Sequence, residues 1–261
     1  NKILAPRLYT HRYDKNFIEI EDFGNETVFK TLKKNGKNKL SYFNRIIKLL
    51  IQIQSIKHRK VKNFRNQNYI IPKYDKKILI NEANLFCDWY AKNNLSKLRK
   101  KRFCKKFKKI IKELTLKLKL KDNIFVHRDF HVSNLMSVKN QIGLIDSQDA
   151  LIGNKAYDLA SLIDDVRLKT SYSFKEKIFK FYTKKQKNLD IKKFKNDFEI
   201  LSVLRNLKII GIFTRLALRD RKKNYLRFIP YTWQLINMRI DQNRTFIDLK
   251  NLLSQNFKKI K

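Results

Sequence analysis

The chain has 261 residues, of which 43% are hydrophobic and 12% aromatic, so it can bury a sizeable core and wholesale disorder is excluded. Its 61 Lys and Arg residues against 23 Asp and Glu residues give a formal net charge of +38, which suggests nucleic acid or an anionic membrane surface as a partner. Because 45 of these cations are Lys and only 16 are Arg, the side chain on which nucleic-acid recognition relies, we favour a compositional origin for the charge and expect no nucleic-acid partner.

The N-terminal half predicts one short strand followed by helices. The sequence FIEI at 17–20 is typical of a strand that runs into a turn. Apolar residues recur at helical spacing over 42–56, and a basic loop is expected over 57–68. Two further helices are predicted over 78–93 and 97–119, the second with a lysine-lined face that we expect to be solvated.

The centre of the chain predicts strands, and the C-terminal part predicts helices. Short apolar runs at 124–126, 135–138 and 142–145 indicate a strand followed by a hairpin. Helical periodicity then covers 157–168, 173–186, 191–218 and 231–256. No internal repeat or flexible linker is visible. We therefore predict an α+β fold in which an α-rich lobe carries a small β insertion and follows the remnant of a β-containing lobe.

The cysteines and the apolar runs indicate a compartment. Cys87 and Cys104 form no CxxC pair and allow at most one disulfide, which predicts two buried thiols in a reducing environment. No stretch approaches the roughly 18 uninterrupted apolar residues of a membrane span, and residues 1–12 contain no apolar segment typical of a secretory signal. We therefore predict a cytoplasmic protein without a membrane partner.

An acidic segment contrasts with this basic background. Residues 142–166 contain five Asp and a single base, Lys155. The five are Asp146, Asp149, Asp158, Asp164 and Asp165. Hard divalent cations such as Mg²⁺ require oxygen ligands of this kind, together with substrate phosphates. The segment is therefore a candidate magnesium site.

Directly upstream, His127, Asp129 and Asn134 form the pattern H-x-D-x-x-x-x-N. A carboxylate on a loop can accept a hydroxyl proton, and an amide five residues later can turn back to a metal. The predicted hairpin would bring Asp146 to the same place. We therefore predict Asp129 as the catalytic base and Asn134 with Asp146 as Mg²⁺ ligands, the arrangement of the protein-kinase fold.

Structural roles are the first alternative for these residues. Asp129 and Asn134 are also common turn formers, and Asp158 could be the N-cap of a helix that begins at Leu159.

A second alternative is a transition-metal site in a hydrolase, with His127, Asp129 and His131 as ligands. Such a site normally needs further imidazoles, and His11 and His58 lie in unrelated basic segments. We favour His127 as a neutral group that orients the catalytic residues and His131 as a pocket residue.

At these residues the sequence resembles the aminoglycoside phosphotransferase family of small-molecule kinases. The similar stretches keep the family's order and are FIEIEDFG at 17–24, NEANLFCDWY at 81–90, VHRDFHVSNLM at 126–136, IGLIDSQDALIGNKAYDLASLIDDVR at 142–167 and NLKIIGIFTRLALRDRKKNYLRFIPYTWQLI at 206–236. The segments DSQDALIGNKAYDLASL and RLALRDRKKNYLRFIP resemble in particular the bacterial kinases that phosphorylate the anomeric position of N-acetylmuramate and N-acetylglucosamine. Ser147 stands where Phe is usual in the family.

The resemblance implies ATP and Mg²⁺ as cofactors and a role for each matching residue. Asp129 would be the base, Asn134 and Asp146 the metal ligands, and Asp158 a brace of the catalytic loop. The backbone of Glu21, Asp22 and Phe23 would form the hinge that meets adenine. Candidate substrate residues, which no motif supports, are Glu82, Asp88, Trp89, His131, Asp149, Arg215 and Arg219.

The resemblance also implies a protein-kinase-like domain arrangement. Residues 1–24 would be a remnant of the N-terminal lobe with the hinge, and 25–261 the α-rich C-terminal lobe. Since nothing before Phe17 supplies a glycine-rich loop or a nucleotide-binding lysine, we expect those elements to precede Asn1.

The predicted function is phosphorylation of an N-acetylated amino sugar at its anomeric hydroxyl, in cell-wall recycling. Two alternatives stay open at this point. One is a kinase of aminoglycosides or other small alcohols, and the other is a catalytically inactive, kinase-like protein that binds nucleic acid.

Overall fold

The computed structural model describes residues 3–34, 38–62 and 65–257. Within these residues the fold is mixed but helix-rich, with eight strands and ten α-helices. The chain divides into two compact units, and each is described by itself. The first unit is formed within 1–73 and 123–188, and the second within 74–122 and 189–261. The domain boundary expected after Gly24 stays a prediction.

The elements follow one another in this order. The strands are β1 (Leu8–Arg12), β2 (Phe17–Ile20), β3 (Lys60–Lys62), β4 (Asn68–Ile70), β5 (Asp122–Val126), β6 (Leu135–Val138), β7 (Gln141–Leu144) and β8 (Leu151–Asn154). The helices are α1 (Val28–Lys34), α2 (Lys39–Gln54), α3 (Lys76–Leu85), α4 (Lys92–Asn94), α5 (Lys97–Leu116), α6 (Tyr157–Ile163), α7 (Tyr172–Lys184), α8 (Ile191–Leu218), α9 (Ile229–Ile240) and α10 (Ile247–Asn256). A π-helical turn, Phe86–Ala91, follows α3 directly.

The strands of the first unit form two-stranded sheets. β1 pairs with β2, β3 with β4, and β6 with β7, each pair antiparallel, while β5 pairs with β8. The register of β6 and β7 sets Leu135 opposite Leu144. The residues just outside that pair, Asn134 and Ile145, therefore meet at the open end of the hairpin.

The core of the first unit joins α2 to α7. The rings of Phe43 and Phe174 meet edge to face with centroids 5.1 Å apart. The buried amide of Gln54 donates to the Lys155 carbonyl at 2.9 Å and accepts from the Tyr182 hydroxyl at 2.6 Å. Burial raises the pKa of Tyr182, which favours the neutral donor.

The second unit is organised around α8, whose Asp190 N-cap accepts a hydrogen bond from the Lys193 amide at 3.0 Å. Gly211 lets this helix approach the end of α3 closely. A Cβ at Gly211 would lie 2.4 Å from the carbonyl carbon of Leu85, which is backbone and cannot turn aside. The packing of α8 against α3 therefore requires a residue without a Cβ at position 211.

Beside α8 lies a group of six rings that we call the aromatic cluster: Phe86, Tyr90, Phe103, Phe107, Trp233 and Phe257. Neighbouring centroids lie 5.2 to 6.0 Å apart. The Trp233 indole N–H donates to the Tyr90 hydroxyl at 3.2 Å, so the two polar groups satisfy each other.

Most predicted elements are confirmed. The helices expected over 42–56, 97–119, 173–186 and 191–218 correspond to α2, α5, α7 and α8, and the predicted strands over 17–20, 124–126, 135–138 and 142–145 correspond to β2, β5, β6 and β7. The helix-rich, mixed fold class is confirmed as well.

Several boundaries were wrong. The helix expected over 231–256 is interrupted after Ile240, because the Asn243 side chain accepts from the Thr245 amide at 2.8 Å and starts a separate 3₁₀ turn. The helix over 157–168 ends at Ile163, since Asp164 leaves helical dihedral angles. The helix over 78–93 changes to the π-helical turn after Leu85.

Two further expectations needed correction. The loop expected over 57–68 contains β3 and the start of β4. Cys87 is buried, but Cys104 is only half-buried, so the prediction of two buried thiols is wrong for Cys104. Both thiols are free, and burial raises the pKa of Cys87.

The described helices differ from membrane spans in length or in polarity. Among the described residues, no helix combines the length and apolar character that crossing a membrane requires.

Candidate functional site

The segment 127–134, here called the Asp129 loop, connects β5 to β6 by tight turns. The His131 amide donates to the Asp129 carbonyl at 3.0 Å, and the Asn134 amide donates to the His131 carbonyl at 2.9 Å. The Asn134 side-chain amide also donates to the Asp129 carbonyl, at 3.2 Å. The loop therefore folds Asn134 back beside Asp129.

A buried carboxylate holds the start of this loop. Asp158, 1% exposed, accepts hydrogen bonds from the His127 amide at 2.7 Å and the Arg128 amide at 3.0 Å. Arg128 has a φ of +73°, in the left-handed region that non-glycine residues rarely adopt. The two bonds from Asp158 help to keep the backbone in this conformation.

The N-cap interpretation of Asp158 is wrong. Helix α6 begins at Tyr157 with Ala156 as its N-cap, so Asp158 lies inside the first turn. Its carboxylate extends to the Asp129 loop instead. This is the contact that a brace of the loop would make.

The buried His127 ring ties the loop to the β6–β7 hairpin. Its Nε2 lies 3.0 Å from the Ile145 carbonyl, which assigns the proton to Nε2 as the donor. Burial lowers the pKa of His127 although Asp129 and Asp146 lie nearby. The imidazole is therefore suited to an uncharged, orienting role. In the described part of the chain, no group of three or more His, Cys, Asp or Glu side chains is arranged to hold a metal ion.

The hairpin presents Asp146 at the same place. The Ile145 amide donates to the Asn134 carbonyl at 3.2 Å, so the end of β7 is bonded to the end of the Asp129 loop. Asp146 follows with a φ of +64° and an exposed side chain. The Gln148 side chain donates to Asp146 at 3.3 Å. Asp129, Asn134 and Asp146 thus occupy one end of the hairpin.

A cavity of about 470 Å³ lies in the first unit beside Asp146. Its lining includes Glu21, Asp22, Phe23, Gly24, Met136, Ile145 and Asp146. The Phe23 ring packs on Gly143, where a Cβ would lie 2.7 Å from the ring. The Glu21 amide donates to the Arg7 carbonyl at 2.8 Å, and the Gly24 amide donates to the Asp22 side chain at 2.7 Å. The predicted hinge residues therefore form an ordered wall.

Two of the predicted substrate residues belong to the first unit. His131 is buried within the Asp129 loop. Asp149 has an exposed side chain, and its carbonyl accepts from the Arg128 guanidinium at 3.2 Å.

The other five predicted substrate residues belong to the second unit. Glu82 accepts hydrogen bonds from the Tyr74 hydroxyl and from Lys208, the latter at 3.0 Å. Asp88 and Trp89 lie in the π-helical turn. Arg215 lies near the end of α8 and Arg219 is its C-cap, and Arg219 forms an ion pair with Asp220 at 2.7 Å. A substrate role for each of these residues stays a prediction.

Three residues that contact the site were not identified from the sequence. Asp165 belongs to the acidic segment but had no assigned role, and its Oδ2 accepts from the Val132 amide at 3.3 Å. Gly143 could have been found as the lone glycine of the predicted hairpin. Arg128 carried no signal, because its side chain type does not indicate a left-handed backbone.

The comparison with protein families agrees with this geometry. The model of a phosphotransferase enzyme family matches residues 8–189, which contain the segment 21–24, the Asp129 loop, the β6–β7 hairpin and Asp158. The chain belongs to this phosphotransferase enzyme family.

Two bacterial kinases are among the proteins that are similar to this chain in sequence. The N-acetylmuramate/N-acetylglucosamine kinase of Neisseria meningitidis serogroup B is 28% identical over 232 residues, which cover 87% of this chain and 67% of that protein. The kinase of the same name from Pseudomonas aeruginosa is 27% identical over 256 residues, which cover 96% of this chain and 72% of that protein. This chain therefore spans about two-thirds to three-quarters of the length of these relatives.

Solved structures show the same fold at low sequence identity. An ethanolamine kinase of Plasmodium vivax superposes with a TM-score of 0.62 at 13% identity, over 92% of this chain and 70% of that one. An ADP-bound aminoglycoside phosphotransferase superposes with a TM-score of 0.56 at 16% identity, over 90% of this chain and 77% of that one. The kinase-like fold implied by the resemblance is confirmed.

Proposed function

We propose that this phosphotransferase transfers the γ-phosphoryl group of ATP, with Mg²⁺, to the anomeric hydroxyl of N-acetylmuramate or N-acetylglucosamine. The observation that carries the proposal is the placement of Asp129, Asn134 and Asp146 at one end of a hairpin, beside the cavity lined by 21–24. The names of the relatives from Neisseria meningitidis and Pseudomonas aeruginosa support the choice of an amino sugar. This activity would belong to cell-wall recycling.

Asp129 is the base in this proposal. The sugar hydroxyl gives its proton to the Asp129 carboxylate while its oxygen forms a bond to the γ-phosphorus. The bond between the γ-phosphorus and the β–γ bridging oxygen breaks, and ADP leaves with that electron pair. Because hydrogen bonds at both ends of the Asp129 loop restrict its backbone, the base is held in place before substrate arrives.

Asn134 and Asp146 fit a magnesium ion by their chemistry. Both offer oxygen donors, the ligand type that Mg²⁺ prefers, and the bond from the Ile145 amide to the Asn134 carbonyl keeps them neighbours. When bound, the ion neutralises the negative charge on the β- and γ-phosphates.

The cavity beside Asp146 is the proposed nucleotide site. Its volume of about 470 Å³ lies within the range of about 300–1,000 Å³ that is usual for small-molecule sites. The backbone of 21–23 would meet the adenine edge, and Phe23, supported by Gly143, would form an apolar wall. The ADP-bound structural neighbour supports nucleotide use at this fold.

The charge of the sugar determines which side chains can bind it. Aminoglycosides are polycations and require carboxylates around them, whereas N-acetylmuramate carries a carboxylate that an arginine can bind. Arg215 and Arg219 are the candidate cations for such an anion, and Arg219 already forms an ion pair with Asp220.

Product analysis tests the proposal directly. Purified protein incubated with ATP, Mg²⁺ and either amino sugar should form the sugar 1-phosphate, detected by ³¹P NMR, and Asp129→Asn serves as the inactive control. Product from an aminoglycoside, choline or another alcohol, but from neither amino sugar, would overturn the substrate assignment. No phosphoryl transfer to any acceptor in the panel would overturn the kinase activity.

A further inference from the structure

The carboxylate of Asp165 makes a second buried contact with the Asp129 loop. Asp165 lies just beyond the C-terminal end of α6 and is 1% exposed. Its Oδ2 accepts from the Val132 amide at 3.3 Å, and its Oδ1 accepts from the Arg167 amide at 3.0 Å. A carboxylate is costly to bury unless hydrogen-bond donors surround it. The amide of the loop is one of the donors that make this burial tolerable.

Asp158 and Asp165 hold the loop on opposite sides of Asp129. Asp158 accepts hydrogen bonds from the amides of the two loop residues that precede Asp129, His127 and Arg128. Asp165 accepts from the amide of Val132, which follows Asp129. Helix α6 occupies most of the interval between the two carboxylates. A rigid element therefore sets the separation of the two contacts.

A neighbouring ion pair fixes the end of α6 that carries Asp165. Asp164 lies 3.2 Å from Lys175, and the two side chains are 0% and 2% exposed. Lys175 also donates to the Ile163 carbonyl at 2.6 Å. Because breaking a buried pair is costly, this end of α6 is held to α7. Asp165 is thus a fixed point to which the loop is tied.

A third contact acts on the same residue of the loop. The Val132 carbonyl accepts from the Phe29 amide of α1 at 3.0 Å. The peptide groups on both sides of Val132 are therefore engaged, and the segment after Asp129 has little freedom to move.

We propose that Asp165 is a positioning residue for phosphoryl transfer. Together with Asp158 it clamps the Asp129 loop, so that the base keeps its place relative to Asn134 and Asp146. It acts through the Val132 amide and does not touch the reacting atoms. The catalytic part of this assignment rests on the proposed role of Asp129.

Two substitutions in the full chain test the clamp. Asp165→Ala removes both acceptor oxygens, and kcat should fall about 10- to 100-fold while KM for ATP changes less than about threefold. Asp165→Asn keeps one acceptor oxygen, and kcat should recover to about 3- to 10-fold below wild type. In hydrogen-exchange mass spectrometry without nucleotide, peptides covering 127–134 should exchange faster in Asp165→Ala and more slowly again in Asp165→Asn.

Matched controls separate positioning from stability. Asp197, in the second unit, is also fully buried and accepts from two backbone amides, those of Lys119 and Leu120, both at 2.8 Å. Asp197→Ala should lower stability but leave kcat per folded molecule within about twofold of wild type. Arg167→Met removes the cation 3.4 Å from Asp165 and should leave kcat similarly unchanged.

Three results would overturn the assignment. One is a folded Asp165→Ala or Asp165→Asn variant with kcat within about twofold of wild type. Another is unchanged exchange over 127–134, and the third is an equal loss of kcat per folded molecule in Asp197→Ala. If Asp165→Ala does not fold, the kcat of Asp165→Asn relative to wild type decides whether Asp165 is a positioning residue. Absence of sugar turnover in the wild-type protein would overturn the proposed function instead, and the exchange result would still decide whether Asp165 clamps the loop.

Discussion

Different forces stabilise the Asp129 loop of the first unit and the aromatic cluster of the second. In the loop, carboxylates and backbone amides form directed hydrogen bonds of 2.7 to 3.3 Å, and Arg128 keeps a left-handed backbone. In the aromatic cluster, rings pack at centroid distances of 5.2 to 6.0 Å around the fully buried Phe86. The first region holds polar atoms in position, and the second fills space.

The difference predicts how each region responds to substitution. A left-handed non-glycine residue costs about 1–3 kcal/mol, and the cost of burying a carboxylate must be offset by its hydrogen bonds. The loop therefore contributes little to the stability of the fold. Burial of apolar surface, to which aromatic rings contribute large areas, is the dominant favourable term in folding. Substitutions in the loop should therefore change activity more than stability, and substitutions in the cluster should do the opposite.

The largest effect on activity is expected for Asp129→Asn. The amide cannot accept the hydroxyl proton, so kcat should fall about 10²- to 10⁴-fold, while the melting temperature changes by only a few degrees. Steady-state ADP release and thermal unfolding measure the two quantities. The matched control is Asp248→Asn, an exposed carboxylate on α10, which should match wild type in both. A variant at Asp129 that keeps wild-type kcat would refute its role as the base.

The largest effect on stability is expected for Phe86→Ala. The substitution leaves a cavity among five neighbouring rings and should lower the free energy of unfolding by about 3–5 kcal/mol. Urea unfolding followed by tryptophan fluorescence measures the loss. Phe17→Ala, at a residue 50% exposed, should cost much less. Equal losses for the two variants would contradict the assigned role of the cluster.

Gly211→Ala should have an intermediate effect on stability. Because the new Cβ would meet the Leu85 backbone, α8 and α3 must separate, and the free energy of unfolding should fall by about 1–3 kcal/mol. Urea unfolding measures this change, and kcat per folded molecule should stay at the wild-type value. A variant as stable as wild type would show that the two helices do not approach this closely in solution.

Gly143→Ala provides the contrasting glycine substitution. Here the new Cβ meets the Phe23 ring, which can turn aside, so the stability loss should be below about 1 kcal/mol. The displaced ring changes the wall of the cavity, and the affinity for ATP measured by calorimetry should fall several-fold. Unchanged affinity for ATP would show that Phe23 does not form part of the nucleotide site.

The smallest effect is a pH dependence of stability from His127. Burial lowers its pKa below the ordinary value of about 6.5, so below pH 6.5 the unfolded chain binds a proton that the folded chain does not. This contribution to stability is complete above about pH 6.5 and is lost as the pH falls toward the folded pKa. Urea unfolding at pH 7.5 and 5.5 should show a smaller pH-dependent loss in His127→Gln than in wild type. Equal losses would contradict the prediction.

Local patterns in the sequence determined most of the elements and much of the candidate site. Helix α8 was predicted with its observed limits because its helical periodicity is long and uninterrupted. The β6–β7 hairpin followed from short apolar runs around a turn, and it in turn predicted that Asp146 would lie near Asn134. The H-x-D-x-x-x-x-N pattern indicated the proposed base, Asp129, and one proposed metal ligand, Asn134, because that chemistry requires side chains at fixed spacing.

Only the tertiary structure decided which groups satisfy the buried carboxylates and backbone amides. Asp158 and Asp165 both belong to the acidic segment, but their contacts with amides of the Asp129 loop depend on where α6 packs. Glu82 was a candidate substrate residue, and the structure pairs its carboxylate with Lys208 and Tyr74. The physical reason is the range of the interactions. Periodicity and caps act over a few residues, whereas Asp158 and Asp165 lie 30 to 33 residues along the chain from the loop amides that they bind.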